Sequence, residues 1–300
     1  MFRVLVYCTR HQKKMDSLNI ISINLMVLNV GYAETTHHWG ERDLSSPFAR
    51  LYYAVKGRAM LHLPQGDVEV RPGYMYLVPT YVPHSYECDP GFGFYYLFVY
   101  EKYRDKADVF DQYEFPIEVK ANEATVLLFT NYCSLYPQLS LPYRSAQSFD
   151  EHRSYKAYAE SWSNMAQYER LQLQGLVWIL FSYFMKHSKE KASVKDERVM
   201  RAVDYIQHHL GNEINLAELA DMVCVTQPHL TRLFKAALGM PPLRYIIQKK
   251  VQYAQGLLLT TDMSVREIAR EIGIDDASYF IRIFKKVLGF TPQDYRKKLR

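Results

Sequence analysis

The sequence predicts a two-part α+β chain. A β sandwich or barrel with flanking helices precedes about residue 190, and an all-α part with two helix-turn-helix units follows it. Three observations carry this expectation. Short alternating runs broken by Gly and Pro fill residues 20–101, a helical period takes over from Glu123, and one helical phrase occurs twice in the last third of the chain. At 48% hydrophobic and 23% charged, the 300 residues suffice for two cores and exclude a disordered chain.

The β signals are runs of β-branched and aromatic residues: Ile20–Val30, Ala49–Val55, Ala59–Leu63, Asp67–Val70, Tyr74–Val78 and Phe92–Tyr100. Gly57, Pro64-Gln65-Gly66, Arg71-Pro72-Gly73 and Pro90-Gly91 supply turns between them. The apolar stretch 18–33 is interrupted by Asn19, Asn24 and Asn29, so it reads as a strand and not as a secretory core. No run is long enough to span a membrane, and no membrane partner is expected. Cys8, Cys88, Cys133 and Cys224 are scattered without metal or disulfide spacing, which favours a reducing, cytoplasmic setting. Met15 is an alternative start, because residues 1–14 carry no recognisable element.

Helical spacing is expected over Ala124–Tyr136, Tyr155–Gln167 and Glu169–His187. In the last of these, Leu173, Leu176, Val177, Leu180, Phe181 and Phe184 form one broad apolar face. That face either pairs two subunits or packs on its own domain. Ser188–Asp196, rich in Lys and Glu, reads as a linker.

The repeated phrase is the most informative element. Leu230-Thr231-Arg232-Leu233-Phe234-Lys235 returns as Phe280-Ile281-Arg282-Ile283-Phe284-Lys285, and Leu238-Gly239, Pro242 and Tyr245 return as Leu288-Gly289, Pro292 and Tyr295, all at an offset of 50. Each copy has a short helix (Asn215–Met222, then Ser264–Glu271), a break, and a second helix. Thr226 or Asp276 caps the second helix at its start, and Gly239 or Gly289 ends it. This is the helix-turn-helix plan, whose second helix enters the major groove. Two ordinary helical hairpins are the plainer reading. Against it, Arg232, Lys235, Arg282, Lys285 and Lys286 lie opposite the apolar faces. Leu243 to Leu259 also reads as one bridging helix of about 17 residues, roughly 25 Å, able to hold two recognition helices about one DNA turn apart. Residues 195–300 carry 17 Lys and Arg against 12 Asp and Glu; the remainder has 20 of each, so the whole +5 lies in this part.

From about residue 197 to 299 the chain resembles the DNA-binding domain of AraC/XylS transcriptional regulators. The resemblance rests on Glu267-Ile268-Ala269-Arg270-Glu271-Ile272-Gly273-Ile274, Ser278-Tyr279-Phe280-Ile281-Arg282-Ile283-Phe284-Lys285-Lys286, Gly289-Phe290-Thr291-Pro292 and Tyr295-Arg296. Ile274 stands where the family usually has Phe. The resemblance implies a cupin-like jelly roll before this domain. Gly57, Val70-Arg71-Pro72-Gly73, Pro79 and Pro83-His84-Ser85-Tyr86 carry that implication. The division it suggests is 15–190 for a ligand-sensing and dimerisation domain and 197–300 for the double helix-turn-helix domain.

By the same resemblance, Pro228, Thr231 and Arg232 of the first unit, and Ala277, Ser278, Ile281 and Arg282 of the second, face bases. Arg232 and Arg282 are best suited to reading guanine. Lys235, Lys285 and Lys286 would hold phosphates. Lys56, His84, Tyr86, Tyr96 and Phe98 are the residues expected around a small polar effector such as a sugar. His84 is alternatively a satisfied strand-end histidine, and each aromatic is alternatively plain core. A cupin metal site would need converging ligands. Gly73, Pro79 and His84 fit half of the motif, but Tyr81 replaces a Gly, His62 stands alone, and His37 and His38 would point to opposite faces. Neither metal, cofactor nor catalytic residue is expected. The implied partners are double-stranded DNA, the effector, RNA polymerase and a second copy of the chain, with activation as the implied output. A jelly roll serving only as dimerisation scaffold, and a cupin enzyme fused to a DNA-binding domain, are the rival readings.

Overall fold

A computed structural model describes residues 25–101, 109–141, 152–190 and 196–298. The part of the expected first strand before Leu25, and the alternative start at Met15, lie outside these residues. Eight strands come first: β1 (Leu25–Glu34), β2 (Trp39–Leu44), β3 (Ala49–Lys56), β4 (Ala59–Leu63), β5 (Gly66–Val70), β6 (Tyr74–Val78), β7 (His84–Cys88) and β8 (Gly93–Glu101). They pair antiparallel into two sheets, one ordered β1-β8-β3-β6 and the other β2-β7-β4-β5. Successive strands thus alternate between the sheets, except for the β4–β5 hairpin, which is the wiring of a jelly roll. Alternation explains the inner layer: on β7, His84, Tyr86 and Cys88 are buried while Glu87 is exposed. The polar β2 and β7 escaped the apolar-run reading because only their alternate positions meet the core.

After β8 come α1 (Val109–Gln112), β9 (Tyr113–Glu114), β10 (Glu118–Lys120), which extends the first sheet beside β6, and α2 (Glu123–Leu135). Asn122 caps α2, accepting from the Thr125 N–H at 2.9 Å. Phe129 of α2 packs on the outer side of the first sheet, 6.0 and 5.7 Å from the rings of Tyr53 and Tyr95. α3 (His152–Asn164) and α4 (Gln167–Met185) follow. The apolar face of α4 is spent inside its own domain, with Leu173, Leu176, Val177, Leu180, Phe181 and Phe184 all buried and Phe181 against Phe110 and Phe115. The pairing role considered for that face is corrected accordingly: the stripe is already buried within its own domain and has no surface left for a partner. The expected linker is partly structured too, because β11 (Lys189–Glu190) pairs with β9.

The carboxy-terminal part is helical: α5 (Glu197–His208), α6 (Leu216–Met222), α7 (Gln227–Leu238), α8 (Pro242–Thr260), α9 (Val265–Glu271), α10 (Ala277–Leu288) and α11 (Pro292–Lys298). Caps set the boundaries. Asn215 accepts from Ala217 N–H at 2.8 Å, Asp276 accepts from Ser278 N–H at 2.8 Å, and Ser264 and Glu267 form a reciprocal capping box. Gly239 (φ +70) and Gly289 (φ +82) end α7 and α10 in the left-handed region. Among the described residues, no helix is long and apolar enough to cross a membrane.

The jelly roll rests on α8. The Tyr81 hydroxyl donates to the Gln252 carbonyl at 2.9 Å, the Tyr100 hydroxyl lies where a Cβ on Gly256 would stand, and Leu259 joins the jelly-roll core.

Candidate nucleic-acid interface

Each recognition helix buries one stripe and exposes another. In α7, Leu230 and Phe234 are buried; in α10, Phe280, Ile283 and Phe284 are buried. The opposite side carries the residues expected to meet DNA. Pro228, Arg232 and Lys235 are exposed and Thr231 half-buried; Ser278, Ile281, Arg282, Lys285 and Lys286 are exposed and Ala277 half-buried. Thr226 caps α7 through the His229 N–H at 3.4 Å. Pro228 in the first turn costs no helix hydrogen bond. Ile281, at 37% exposure, is apolar surface that helix packing leaves uncovered.

The structure adds two residues that sequence reasoning passed over. His229 Nδ1 lies 3.4 Å from the Arg232 guanidinium, and the Arg282 guanidinium lies 6.0 Å from the ring centre of Tyr279. Both neighbours stand three positions before their arginine, one helical turn back; His229 meets its arginine through a ring nitrogen and Tyr279 through its ring. The offset of 50 relates His229 to Tyr279 just as it relates Arg232 to Arg282, and that was the available signal.

The residues expected around an effector are less united. Tyr86 lines a cavity of about 40 Å³ between the two sheets, together with Trp39, Tyr52, Met60, Tyr76 and Phe94 among others. Its ring lies 4.4 Å from that of Trp39. His84 is buried beside it, with Nδ1 2.9 Å from the Val82 carbonyl. Tyr96 is buried with its hydroxyl accepting from the Leu141 N–H at 2.9 Å, and burial pushes its pKa up to about 12. Phe98 is buried under the Arg50 guanidinium at 5.0 Å. These three do not line the cavity. Lys56 stands outside the sandwich, its Nζ 2.8 Å from Glu34 Oε1, a pairing that raises the lysine pKa and lowers that of the carboxyl. The cavity wall is almost wholly apolar: Cys88 is a thiol that burial pushes up to about 12, and the Tyr76 hydroxyl is occupied by Glu118 at 2.8 Å. Among the described residues, no three His, Cys, Asp or Glu side chains converge as metal ligands would.

Comparison with known proteins bears on both halves. Residues 219–298 match the family described as a helix-turn-helix domain. The arabinose operon regulatory protein of Escherichia coli K12 is 36% identical over 102 residues, which cover 34% of this chain and 35% of that protein. The chain thus spans about a third of the length of the curated relatives it matches. The C-terminal domain of the response regulator yesN from Fusobacterium nucleatum is 31% identical, covering 34% of this chain and 99% of that structure at a TM-score of 0.33. A point variant of apo ToxT from Vibrio cholerae is only 12% identical but covers 92% of this chain and 98% of its own, at a TM-score of 0.50, and shares the fold of both halves. With two capped helix-turn-helix units behind a jelly roll, the chain resembles the AraC/XylS-type transcriptional regulators, and residues 219–298 carry a helix-turn-helix domain of that kind.

Proposed function

We propose that the chain is a cytoplasmic, one-component transcription regulator in which both helix-turn-helix units read DNA and a small effector in the jelly roll adjusts how they are presented. The carrying observation is the matched pair of exposed Arg-bearing faces on α7 and α10, joined by α8 on which the jelly roll rests. The sensing and DNA-binding parts are taken as 15–190 and 197–300. The base-facing set is Pro228, Thr231, Arg232, Ala277, Ser278, Ile281 and Arg282, and Lys235, Lys285 and Lys286 hold phosphates. In this reading a metabolite is the input, RNA polymerase a partner and activation the output; a relative named as an arabinose operon regulatory protein supports the metabolite input.

The chemistry of the cavity narrows that input. A sugar brings many hydroxyls, and each needs a partner once buried. The wall of this inner cavity offers almost none, so it suits a small apolar or aromatic group. On the outer side Tyr86 and Trp39 also border a polar cavity of about 340 Å³ with His38, Arg42, Glu87 and Asp89, which suits the sugar expected from sequence. The small volume of the inner cavity favours a second reading, in which the jelly roll is only a scaffold for dimerisation. The surface for pairing is then the outward face of α4, where Tyr168, Leu171, Trp178 and Ile179 remain exposed.

Selection of duplexes from a random pool by the full chain, with a thermal-shift panel of sugars and aromatic metabolites, tests this reading. An enriched sequence protected over two successive major-groove segments supports it. Enrichment of no sequence refutes it, and a silent metabolite panel favours the scaffold.

A further inference from the structure

The two helix-turn-helix units bury separate hydrophobic cores, with half-buried Tyr253 of α8 packed against both. Leu230 and Phe234 close one cluster, Phe280 and Phe284 close another, and α8 gives Ile246 to the first and Val251 to the second. Apolar burial is non-directional, so two separate cores joined by a single helix do not by themselves fix the angle between the units.

The seam between them is made of main chain. A Cβ on Gly273, in the turn of the second unit, would stand 2.4 Å from the Asn212 carbonyl of the first. Into this seam α8 sends Lys250, only 5% exposed. Its Nζ donates to Leu210 O at 3.2 Å and Asn212 O at 2.7 Å on the first side. On the second side it donates to Gly273 O at 3.3 Å and to Ile272 O. Four carbonyl dipoles aimed at one point repel unless a cation sits there. A lysine ammonium, with three donors and no acceptor, fits that demand.

We propose that Lys250 is a positioning residue for DNA recognition, its ammonium locking the first unit to the second so that α7 and α10 act as one rigid reader of two successive major-groove segments. This rests on the reading above that both units engage DNA. Removing the ammonium leaves carbonyls facing one another across the seam. Each unit keeps its own core, but the angle between them is freed, and the second contact loses the high effective concentration that rigid linkage gives.

The test uses the full chain and duplexes selected by the wild-type protein, measured by fluorescence anisotropy on the two-segment duplex and on each half separately. Lys250→Met is expected to lose about tenfold or more on the two-segment duplex while staying within about twofold on the halves, with Lys250→Arg restoring most of the difference. Wild type should also lose about tenfold when one or two base pairs separate the segments. Equal loss of Lys250→Met on all duplexes, or no loss, overturns the proposal. So does wild-type tolerance of the inserted base pairs, a result that stands whether or not Lys250→Met folds. A selection that protects only one groove segment instead overturns the two-unit reading itself, and the proposal with it.

Discussion

Substituting Gly273 by alanine tests how closely the two units approach. Gly273 sits at φ +64, where an L-residue costs about 1–2 kcal/mol. An added Cβ would also meet the Asn212 carbonyl carbon and oxygen at 2.4 Å. Those are main-chain atoms of a packed loop, which cannot swing aside as a side-chain tip can, so overpacking adds about 1–3 kcal/mol. Gly239 is the internal control. It has φ +70, but a Cβ there meets nothing within 4 Å, so Gly239→Ala should lose only the backbone cost of about 1–2 kcal/mol. Gly273→Ala should lose about 2–5 kcal/mol. The first unit offers the reverse experiment. Cys224 holds the matching turn at φ +57 without being glycine. Cys224→Gly should therefore gain up to about 1 kcal/mol, the relieved strain less the added chain entropy. Urea unfolding of the full chain, followed by helical circular dichroism at constant m, reads all three. If Gly273→Ala proves no costlier than Gly239→Ala, the seam is looser than described and the reasoning fails.

Other outcomes are equally checkable. Arg282→Ala should cost about 1–3 kcal/mol on the selected duplex and relax base preference at one position, whereas uniform weakening on all sequences would make Arg282 a phosphate contact. Burial lowers the Lys250 pKa to about 8 from 10.5, partly offset by Glu213, so between those values the unfolded chain binds more protons and this site's contribution to stability rises with pH. The thiols of Cys88 and Cys133, pushed up to about 12, act in the opposite sense above pH 9. The test is thus the stability difference between wild type and Lys250→Met from pH 7 to 10, and a flat difference refutes the assignment. Glutamates at Leu171 and Ile179 together should convert a dimer to monomer in sedimentation velocity without lowering the melting temperature, and a monomeric wild type would dispose of the α4 pairing surface.

Much of this protein was legible in its residues because the relevant physics is local. Caps at Asn215, Thr226, Ser264 and Asp276, the terminal Gly239 and Gly289, and the 50-residue echo mark the carboxy-terminal helices one turn at a time. Strands with continuous apolar or aromatic runs, such as Tyr74–Val78, declare themselves in the same way. What the sequence left open depended on which surfaces meet. Whether the apolar stripe of α4 faced its own sheet or a partner, whether Lys56 pointed into the sandwich or across to Glu34, and whether the cavity by Tyr86 was polar were decided by packing between elements far apart in the chain. The placement of Lys250 belongs to the same class. Its neighbours in sequence are ordinary helix residues, and only the fold gathers carbonyls from positions 210, 212, 272 and 273 around one ammonium. Local propensity and periodicity act within a turn or a strand, whereas desolvation and electrostatic convergence are set by the three-dimensional neighbourhood.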